Sequence, residues 1–290
     1  MNRMHYLLSL FLVVLLLGAC SDGESGMNEN NQENDTIAEK EVEEEHRDET
    51  SKVEENDNEQ GKEESEEEPD EKEEKERLYE LTDQARIVPI DEADEEVVLL
   101  TIDDAPDNYA VEMAEVLKEY DAPAIFFING HFINDEEGEK ELKSLHEMGF
   151  EIGNHTMTHA NLDQDGLSSK EQRKEIVNLN DKIEDIIGER PRFFRAPFGA
   201  NTDTSNEVVK EEGMQRMNWT YGYDYFEEYM EADALASKMV ETELLITGAN
   251  LLMHDREWTL EALPDIIEGL KEKGYSFVDP ETIQDSEENS

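Results

Sequence analysis

Residues 97–104 read Val-Val-Leu-Leu-Thr-Ile-Asp-Asp, and this stretch decides the fold. The run from Val97 to Ile102 is apolar and rich in β-branched side chains, so it predicts a β-strand. Asp103 and Asp104 close that strand. Adjacent residues of an extended chain project in opposite directions, and a turn at this point can bring both carboxylates into one site with different roles. A solvated pair is the alternative interpretation in so acidic a chain.

Strand-like and helix-like segments alternate about seven times from this stretch onward. This alternation predicts an α/β fold with a parallel sheet and helices outside it. No Gly-rich nucleotide-binding motif follows the first strand, and the number of units favours closure. We therefore predict a distorted (β/α)7-type barrel with a metal site at the carboxyl ends of its strands. The segments that we predict include helices at 168–187 and 233–245 and a strand at 215–221.

The charge of the chain is extreme, with a net value of −52 over 290 residues. Residues 21–80 hold 27 acidic and 7 basic residues and few large apolar ones, which predicts a disordered acidic linker over residues 20–85. A catalytic domain is predicted over 86–284 and an acidic tail over 285–290. The charge excludes nucleic acid as a partner and disfavours anionic lipid head groups. Solubility in a salty or alkaline exterior and drift to an acidic surface both explain the excess.

The first residues have the pattern of a processing signal. Arg3 precedes an apolar run at 6–17 that is short for a membrane span, which predicts a signal peptide over residues 1–19. Residues 17–20, Leu-Gly-Ala-Cys, resemble the lipobox of bacterial lipoproteins, which implies a lipid on Cys20. We expect the domain to be lipid-anchored at the extracellular face of the cell membrane. A plain signal peptide with an unmodified thiol is the alternative.

Two histidines indicate a metal site. His155 and His159 are four residues apart, a spacing that places both rings on one face if the segment turns helically. With one aspartate oxygen they form an incomplete shell, which leaves positions for water and substrate. Zinc is the preferred ion on ligand type, and cobalt, nickel and manganese also accept these ligands. Because Cys20 is the only cysteine, disulfides within the chain and zinc–thiolate sites are excluded.

Two further residues are candidates for catalysis. Arg195 follows Phe194, and an ion pair from Arg195 to Asp103 would hold that carboxylate charged and oriented. His254 follows an apolar run and is a candidate general acid, whose pKa an acidic neighbour such as Asp224 would raise. The alternatives are an ordinary surface arginine and a buried structural histidine.

Taken in order, these motifs resemble those of polysaccharide deacetylases of carbohydrate esterase family 4, which share the nodulation-factor deacetylase domain. The resemblance covers about residues 95–280. Its motifs here are Thr101-Ile-Asp-Asp104, His155-Thr-Met-Thr-His159, Arg195-Ala-Pro-Phe-Gly199 and Leu252-Met-His254. A further motif departs from the family, because Asp224-Tyr225 stands where Asp-Trp is usual.

The resemblance implies a role for each of these residues. The implied roles are catalytic base for Asp103, orientation of that base for Arg195, general acid for His254 tuned by Asp224, metal ligands for Asp104, His155 and His159, and substrate contacts for Phe198, Tyr225 and Leu252.

The resemblance implies that the protein is a metal-dependent hydrolase. Such an enzyme removes N-acetyl groups from amino sugars of a cell-wall or extracellular polysaccharide and releases acetate. Peptidoglycan is favoured because the anchor places the domain beside it. The alternatives are an O-deacetylase acting on an acetylated xylan-like polymer and a non-catalytic polysaccharide-binding lipoprotein. A two-carboxylate glycosidase gives the histidine pair no role. We expect a monomer whose partners are the polysaccharide and, through the lipid, the membrane.

Overall fold

The computed structural model describes residues 75–164 and 166–285. The predicted signal peptide at 1–19, Cys20, most of the predicted linker and all but the first residue of the predicted tail lie outside these residues. Among the described residues, no helix is long and apolar enough to cross a membrane.

Strands and helices alternate along the described residues, as predicted. The strands are β1 (Tyr79–Leu81), β2 (Ile87–Pro89), β3 (Val97–Ala105), β4 (Ala124–Ile128), β5 (Glu151–Asn154), β6 (Phe193–Phe194), β7 (Gln215–Arg216), β8 (Ala249–His254) and β9 (Ser276–Phe277). The α-helices are α1 (Ala110–Glu119), α2 (Glu136–Glu147), α3 (Ser169–Ile187), α4 (Asp203–Glu211), α5 (Ala232–Glu241) and α6 (Glu257–Glu272).

The main sheet is entirely parallel, and β3 pairs with three other strands. Its order is β7–β6–β5–β4–β3–β8, with β9 paired to the start of β3. Every residue of β3 except Asp104 is buried, as is typical of a parallel strand covered on both faces. The prediction of an α/β fold with a parallel sheet is confirmed.

The chain that follows β7 links the two edges of this sheet. The Met217 N–H still donates to the Phe194 carbonyl of β6, and further along the Tyr221 carbonyl accepts the Leu252 N–H of β8. The continuation of edge strand β7 therefore pairs with β8 at the other edge, which curls the sheet toward the predicted barrel. Regular strand geometry covers only the start of the predicted strand 215–221, because its two ends pair with different neighbours.

The alternation of β3 separates the barrel interior from the helix layer. The even-numbered apolar residues of β3 belong to the cluster that contains the helices, whereas Leu99 lies in the interior cluster with Phe127 and Phe193. Thr101 and Asp103 share the face of Leu99 because side chains alternate along a strand. The fold therefore directs Asp103 into the upper end of the barrel interior.

Local signals set the ends of α3. The Ser168 and Glu171 side chains form a capping box at its start. Gly188 ends the helix with φ of 80°, a left-handed conformation that glycine adopts without strain from a Cβ atom. The boundary predicted from sequence agrees.

Helix α5 is shorter than the predicted helix 233–245. It ends at Glu241 because Thr242 turns to an extended conformation with ψ of 146°. The Thr242 hydroxyl accepts the Leu244 N–H at 3.2 Å and lies 2.7 Å from the Tyr223 hydroxyl. A side chain that satisfies backbone groups outside a helix competes with continuation of that helix.

A hairpin of β1 and β2 precedes the sheet and packs against it. Tyr79 and Ile87 are buried in the interior cluster, and the Ile87 N–H donates to the Gly248 carbonyl at 2.8 Å. The packed region thus begins within the predicted linker 20–85 and before the predicted domain start at residue 86. Strands of three residues are too short to show periodicity, so the sequence did not reveal them.

We expect Ile87→Ala in the full chain to lower the free energy of unfolding by about 2–4 kcal/mol, because it removes a buried side chain from the interior cluster. The control is Val88→Ala on the same strand, where the side chain is half-buried and the loss should be clearly smaller. Urea unfolding measures both. Equal small losses would show that the hairpin is not part of the cooperative core.

Candidate active site

The predicted site residues lie at the carboxyl ends of four strands. Asp103 is near the end of β3 and pairs in register with His254, the last residue of β8. His155 directly follows β5, and Arg195 directly follows β6. Because the strands are parallel, these ends meet at one rim of the barrel.

Arg195 fills the upper barrel interior and is fully buried. Burial lowers its pKa, and the Asp103 carboxylate opposes that shift. The guanidinium carbon lies 4.3 Å from the centroid of the Phe127 ring. Its N–H groups donate to Asp103 Oδ1 at 2.6 Å, Thr101 Oγ1 at 2.8 Å, the Met217 carbonyl at 3.1 Å, the Asn218 carbonyl at 3.1 Å and Asn250 Oδ1 at 3.3 Å. The structure thus contains the predicted ion pair, and Arg195 is not a surface residue.

Asp103 and Asp104 are adjacent, yet both carboxylates reach the site. Strand alternation alone would direct them to opposite faces. Asp104 has φ of 61°, in the left-handed region that aspartate tolerates better than most residues. The pairing of β3 with β4 also shifts register between Ile102 and Ala105. This turn brings Asp104 to the histidines while Asp103 keeps its inward direction.

Asp104, His155 and His159 each offer one ligand atom, and these atoms lie within 4.8 Å of one another. Asp104 Oδ1 is 3.3 Å from His159 Nε2 and 3.8 Å from His155 Nε2. His155 Nδ1 donates to the Arg195 carbonyl at 2.7 Å. A carbonyl only accepts, so Nδ1 carries the hydrogen and the Nε2 lone pair faces Asp104. Two imidazole nitrogens and one carboxylate oxygen fit a divalent ion with open coordination positions.

Residues 155–159 form a loop, so the helical turn that would place both rings on one face is not present. Thr156 and His159 have φ of 69° and 57°. Asn154 Oδ1 accepts the Thr156 N–H at 2.9 Å, and the Asn129 side-chain amide donates to the His155 carbonyl at 2.6 Å. These hydrogen bonds, rather than helical periodicity, hold the two imidazole centroids 5.1 Å apart.

The protonation states of these groups suit a metal ion. Burial lowers the pKa of His159, and the neighbouring His155 adds to this shift. Burial acts to raise the pKa of Asp104, but the positive charges of the histidines and of Arg256 outweigh it and lower the pKa. A neutral imidazole and an ionised carboxylate are the forms that bind metal.

Arg256 contacts Asp104, and the sequence analysis did not predict this contact. Its guanidinium donates to Asp104 Oδ2 at 2.9 Å and lies 3.5 Å from an oxygen of Asp107. By engaging Oδ2 it leaves Asp104 Oδ1 facing the histidines. The available signal was a basic residue two positions after His254.

Asp224 is buried and holds His254 in place. Its Oδ1 accepts the His254 Nδ1–H at 2.8 Å, and its Oδ2 accepts the His254 backbone N–H at 2.6 Å and the Thr259 hydroxyl at 2.9 Å. Burial acts to lower the pKa of His254, but Asp224 outweighs it, and the pKa is raised with help from Asp103. Asp224, which belongs to the motif that departs from the family pattern, thus holds the candidate acid through two hydrogen bonds.

Asp255 is a second residue whose contacts the sequence did not reveal. Its carboxylate is buried and accepts the backbone N–H groups of residues 107–110 at 2.6–3.1 Å, at the start of α1. Its own N–H donates to the Asp103 carbonyl at 3.1 Å. Tyr109, the N-cap of α1, offers no side-chain cap, so Asp255, the residue after β8, accepts these N–H groups instead. These contacts hold the corner of the chain that carries Asp103 and Asp104.

The three predicted substrate contacts differ in exposure. Phe198 is 66% exposed and lies 4.9 Å from the His159 ring. Tyr225 is 46% exposed and lies 5.7 Å from the His254 ring. Leu252 is only 2% exposed; it shares the inward face of β8 with His254, one layer below. Leu252 is therefore buried beneath the rim, whereas the two exposed aromatic rings lie at the surface beside His159 and His254.

A cavity of about 400 Å³ lies at the opposite, amino-terminal end of the strands. It is lined in part by Glu151 and Arg192 and contains none of the predicted site residues. Each of its lysine and arginine side chains is paired with a carboxylate. The candidate site is therefore the set of residues that converge at the carboxyl ends.

Comparison with known proteins agrees with this geometry. The family model described as polysaccharide deacetylase matches residues 91–217. A peptidoglycan-N-acetylglucosamine deacetylase of Bacillus cereus is 34% identical over 194 residues, covering 62% of this chain and 68% of that relative. The chain belongs to the polysaccharide deacetylase family. Membership confirms the prediction of a polysaccharide deacetylase hydrolase.

Two solved structures share the deacetylase fold. A carbohydrate esterase family 4 pseudoenzyme from Bacillus anthracis is 31% identical with a TM-score of 0.58, and the match covers 63% of each chain. A family 4 carbohydrate esterase from Streptomyces lividans, in complex with acetate, is 25% identical with a TM-score of 0.56, covering 64% of this chain and 93% of that chain. Since an enzyme and a pseudoenzyme share the fold, the fold alone does not indicate activity, and the side chains at the site must be considered.

We expect Asp224→Asn to lower the pKa of His254, because the carboxylate that stabilises the imidazolium is lost. In the native protein this pair adds stability below the ordinary pKa of histidine, and that stability is lost as pH rises through the raised pKa. NMR titration of the metal-free protein measures the shift. Asp265→Asn on the exposed face of α6 is the control and should leave it unchanged; an unaltered pKa in Asp224→Asn would contradict the assignment.

Proposed function

We propose that this deacetylase is a metal-dependent enzyme that removes N-acetyl groups from N-acetylglucosamine in peptidoglycan and releases acetate. The observation that carries the proposal is the separation of two adjacent carboxylates. Asp104 faces the histidines, whereas Asp103 is held by Arg195 at 2.6 Å and keeps Oδ2 beside the site, 3.6 Å from His155 Nε2. One carboxylate is thus a ligand and its neighbour is available as a base.

Asp103 takes the proton of the attacking water in this proposal. Arg195 fixes Oδ1 and balances its charge, so Oδ2 is the oxygen that accepts the proton. The rotation of the carboxylate is restricted because Arg195 itself is immobilised by hydrogen bonds and by the Phe127 ring.

Asp104, His155 and His159 would hold the divalent ion, and we propose zinc, with cobalt, nickel or manganese as substitutes. When bound, such an ion supplies Lewis acidity, which polarises a carbonyl and lowers the pKa of water. The chain prepares the ligands itself, since the Arg195 carbonyl fixes the tautomer of His155.

His254 gives a proton to the departing amine. Asp224 binds its Nδ1–H, so the proton that is transferred lies on Nε2, and the raised pKa of His254 favours its protonated form. Leu252, one layer below on the same strand face, offers an apolar floor to the acetyl methyl group. Phe198 and Tyr225 flank the sugar.

The choice of peptidoglycan is supported by the relative from Bacillus cereus, which is named for that substrate. It is also supported by the lipobox-like residues 17–20. We propose that Cys20 carries a lipid, that the domain works at the extracellular face of the membrane, and that the acidic segment between them gives it reach.

The non-catalytic alternative gains weight from the pseudoenzyme with the same fold. Against it stands the full set of groups in this chain: a base with its arginine, an acid with its carboxylate, and three convergent ligands. A pure binding surface has no use for a buried carboxylate that raises the pKa of a histidine.

The test is acetate release by the full chain from purified peptidoglycan and from N-acetylglucosamine oligomers. We expect turnover that chelation abolishes and that zinc or cobalt restores. Asp103→Asn should lower kcat by about 10²–10⁴-fold, the range for loss of a general base. Because Asp103 neutralises Arg195, circular dichroism and oligomer binding must show that this variant is folded.

The alternatives give different results in the same assay. Release from acetylated xylan but not from the amides would identify an O-deacetylase. Binding of oligomers with no turnover after metal is restored would identify a binding protein, and either result would refute the proposed reaction.

The anchor has its own test in the producing cells. We expect incorporation of labelled fatty acid into the native protein and none into Cys20→Ala, because a thioether-linked lipid requires the thiol. Equal labelling of both forms would contradict the lipid on Cys20.

A further inference from the structure

A series of hydrogen bonds runs from the helix layer to the loop at 155–159, which carries both histidines of the candidate metal site. Asn154 Oδ1 accepts the Thr156 N–H at 2.9 Å, and Asn154 Nδ2 donates to Asn180 Oδ1 at 2.7 Å. Asn180 Nδ2 donates in turn to Glu212 Oε2 at 3.1 Å. Both asparagines are fully buried. We call Asn154, Asn180 and Glu212 the polar network.

The two ends of the polar network fix the direction of its hydrogen bonds. A backbone N–H only donates, so Thr156 requires the oxygen of Asn154 and leaves the amino group of Asn154 for Asn180. At the other end, the Arg190 guanidinium donates to Glu212 Oε2 at 2.6 Å. A carboxylate paired in this way accepts, so it requires the amino group of Asn180. Each amide therefore has a single orientation that satisfies all its neighbours.

The loop needs this support because its backbone is strained. Thr156 has φ of 69°, a left-handed value that a β-branched residue rarely adopts. Such a conformation persists only when the surrounding contacts hold it. The Asn154 side chain supplies one of them, because it accepts the N–H of Thr156 itself. Without that contact Thr156 can relax toward ordinary φ, which would change the placement of His155 relative to His159.

Helix α3 holds the Asn154 side chain with two acceptors. They are the Ile176 carbonyl at 2.8 Å and Asn180 Oδ1 at 2.7 Å. Together they use both hydrogens of the amino group, so the Asn154 side chain cannot rotate without leaving a buried group unpaired. The neighbouring buried residues of α3, Leu179 and Ile183, are apolar. Packing alone would be served by an apolar side chain at position 180, whereas a buried amide is costly unless it is paired.

We propose that Asn180 is a positioning residue for the metal ligands. It acts through Asn154 on the loop at 155–159, and Glu212 at the C-cap of α4 fixes its orientation. This inference rests on the proposed function, because His155 and His159 are metal ligands only in that proposal. It adds that residues of the helix layer control how tightly, and in what geometry, the ion is held.

The test compares metal binding by the full chain and by Asn180→Leu, which keeps the size of the side chain and removes its polar atoms. Titration of the metal-free protein with cobalt gives the dissociation constant, and the visible absorption of bound cobalt reports its coordination geometry. We expect Asn180→Leu to weaken cobalt binding about tenfold, the lower end of the range for residues that support metal ligands. The visible spectrum should also change.

A second measurement needs no metal. Amide hydrogen exchange at Thr156 in the metal-free protein should become about tenfold faster in Asn180→Leu, because the acceptor of this N–H is no longer held in place. Unchanged exchange together with unchanged cobalt affinity overturns the proposal.

The matched control is Ile183→Ala, on the same helix and also fully buried. It removes apolar contacts from the core, so it should lower the urea midpoint of unfolding at least as much as Asn180→Leu does. Its cobalt affinity and its cobalt spectrum should nevertheless equal those of the native chain. An equal loss of cobalt affinity in Ile183→Ala would show general loosening of the fold and would overturn the positioning role.

Variants of Glu212 keep the test decisive if Asn180→Leu does not fold, because the Glu212 side chain is partly exposed. Glu212→Leu removes the acceptor at the outer end of the polar network and should weaken cobalt binding about threefold, the effect of one hydrogen bond. Glu212→Gln keeps an oxygen that accepts from Asn180 and should bind cobalt as the native chain does. No loss in Glu212→Leu, or the same loss in both variants, overturns the proposal.

Failure of this inference can be distinguished from failure of the proposed function. If the native chain binds cobalt but releases no acetate, the reaction is refuted, and the comparison of cobalt affinities still decides the role of Asn180. If acetate is released and Asn180→Leu binds cobalt like the native chain, the reaction stands and the positioning role is refuted. A native chain that binds no metal would refute both.

Discussion

The buried guanidinium of Arg195 is the interaction on which the site depends. A charge inside the barrel is tolerated only when it is paired and fully hydrogen-bonded. Its acceptors come from β3, from β8 and from the chain after β7, and it lies against a ring of β4. The hydrogen bonds that the buried guanidinium requires thus connect the strands that close the barrel. Loss of a partner from a buried ion pair costs about 3–5 kcal/mol, so Asp103 stabilises the fold in addition to its role in the proposed reaction.

The same residue sets the distance between base and metal ligands. The Arg195 side chain holds Asp103, and its carbonyl accepts the Nδ1–H of His155. Arg195 therefore positions the proposed base through its side chain and a proposed metal ligand through its backbone carbonyl. The left-handed backbone at Asp104 then turns the second carboxylate toward the histidines. A division of roles between adjacent aspartates follows from one ion pair and one unusual φ.

The sequence reveals what local periodicity and motif order encode. Strand β3, helix α3 and the identities of Asp103, His155 and His254 are of this kind. The loop at 155–159, the early end of α5 at Thr242 and the β1–β2 hairpin depend on tertiary hydrogen bonds and packing, which leave no periodic signal. Asp255 and Arg256 act through contacts some 150 positions away in the chain. In the sequence, Asn250 is a polar residue inside an apolar strand. Its Oδ1 accepts a hydrogen bond from the buried Arg195 guanidinium.

Fold similarity alone does not separate an enzyme from a binding protein, since both occur in this family. The physical difference lies in groups that are costly to bury and useful only in a reaction. Asp224 is buried, and its carboxylate acts on His254 rather than on a surface cation. Burying such a carboxylate carries a desolvation cost, and what it provides here is an imidazole with a raised pKa at a fixed position. Preorganised charges of this type favour a transition state more than a bound sugar. The site is therefore better explained by catalysis than by binding.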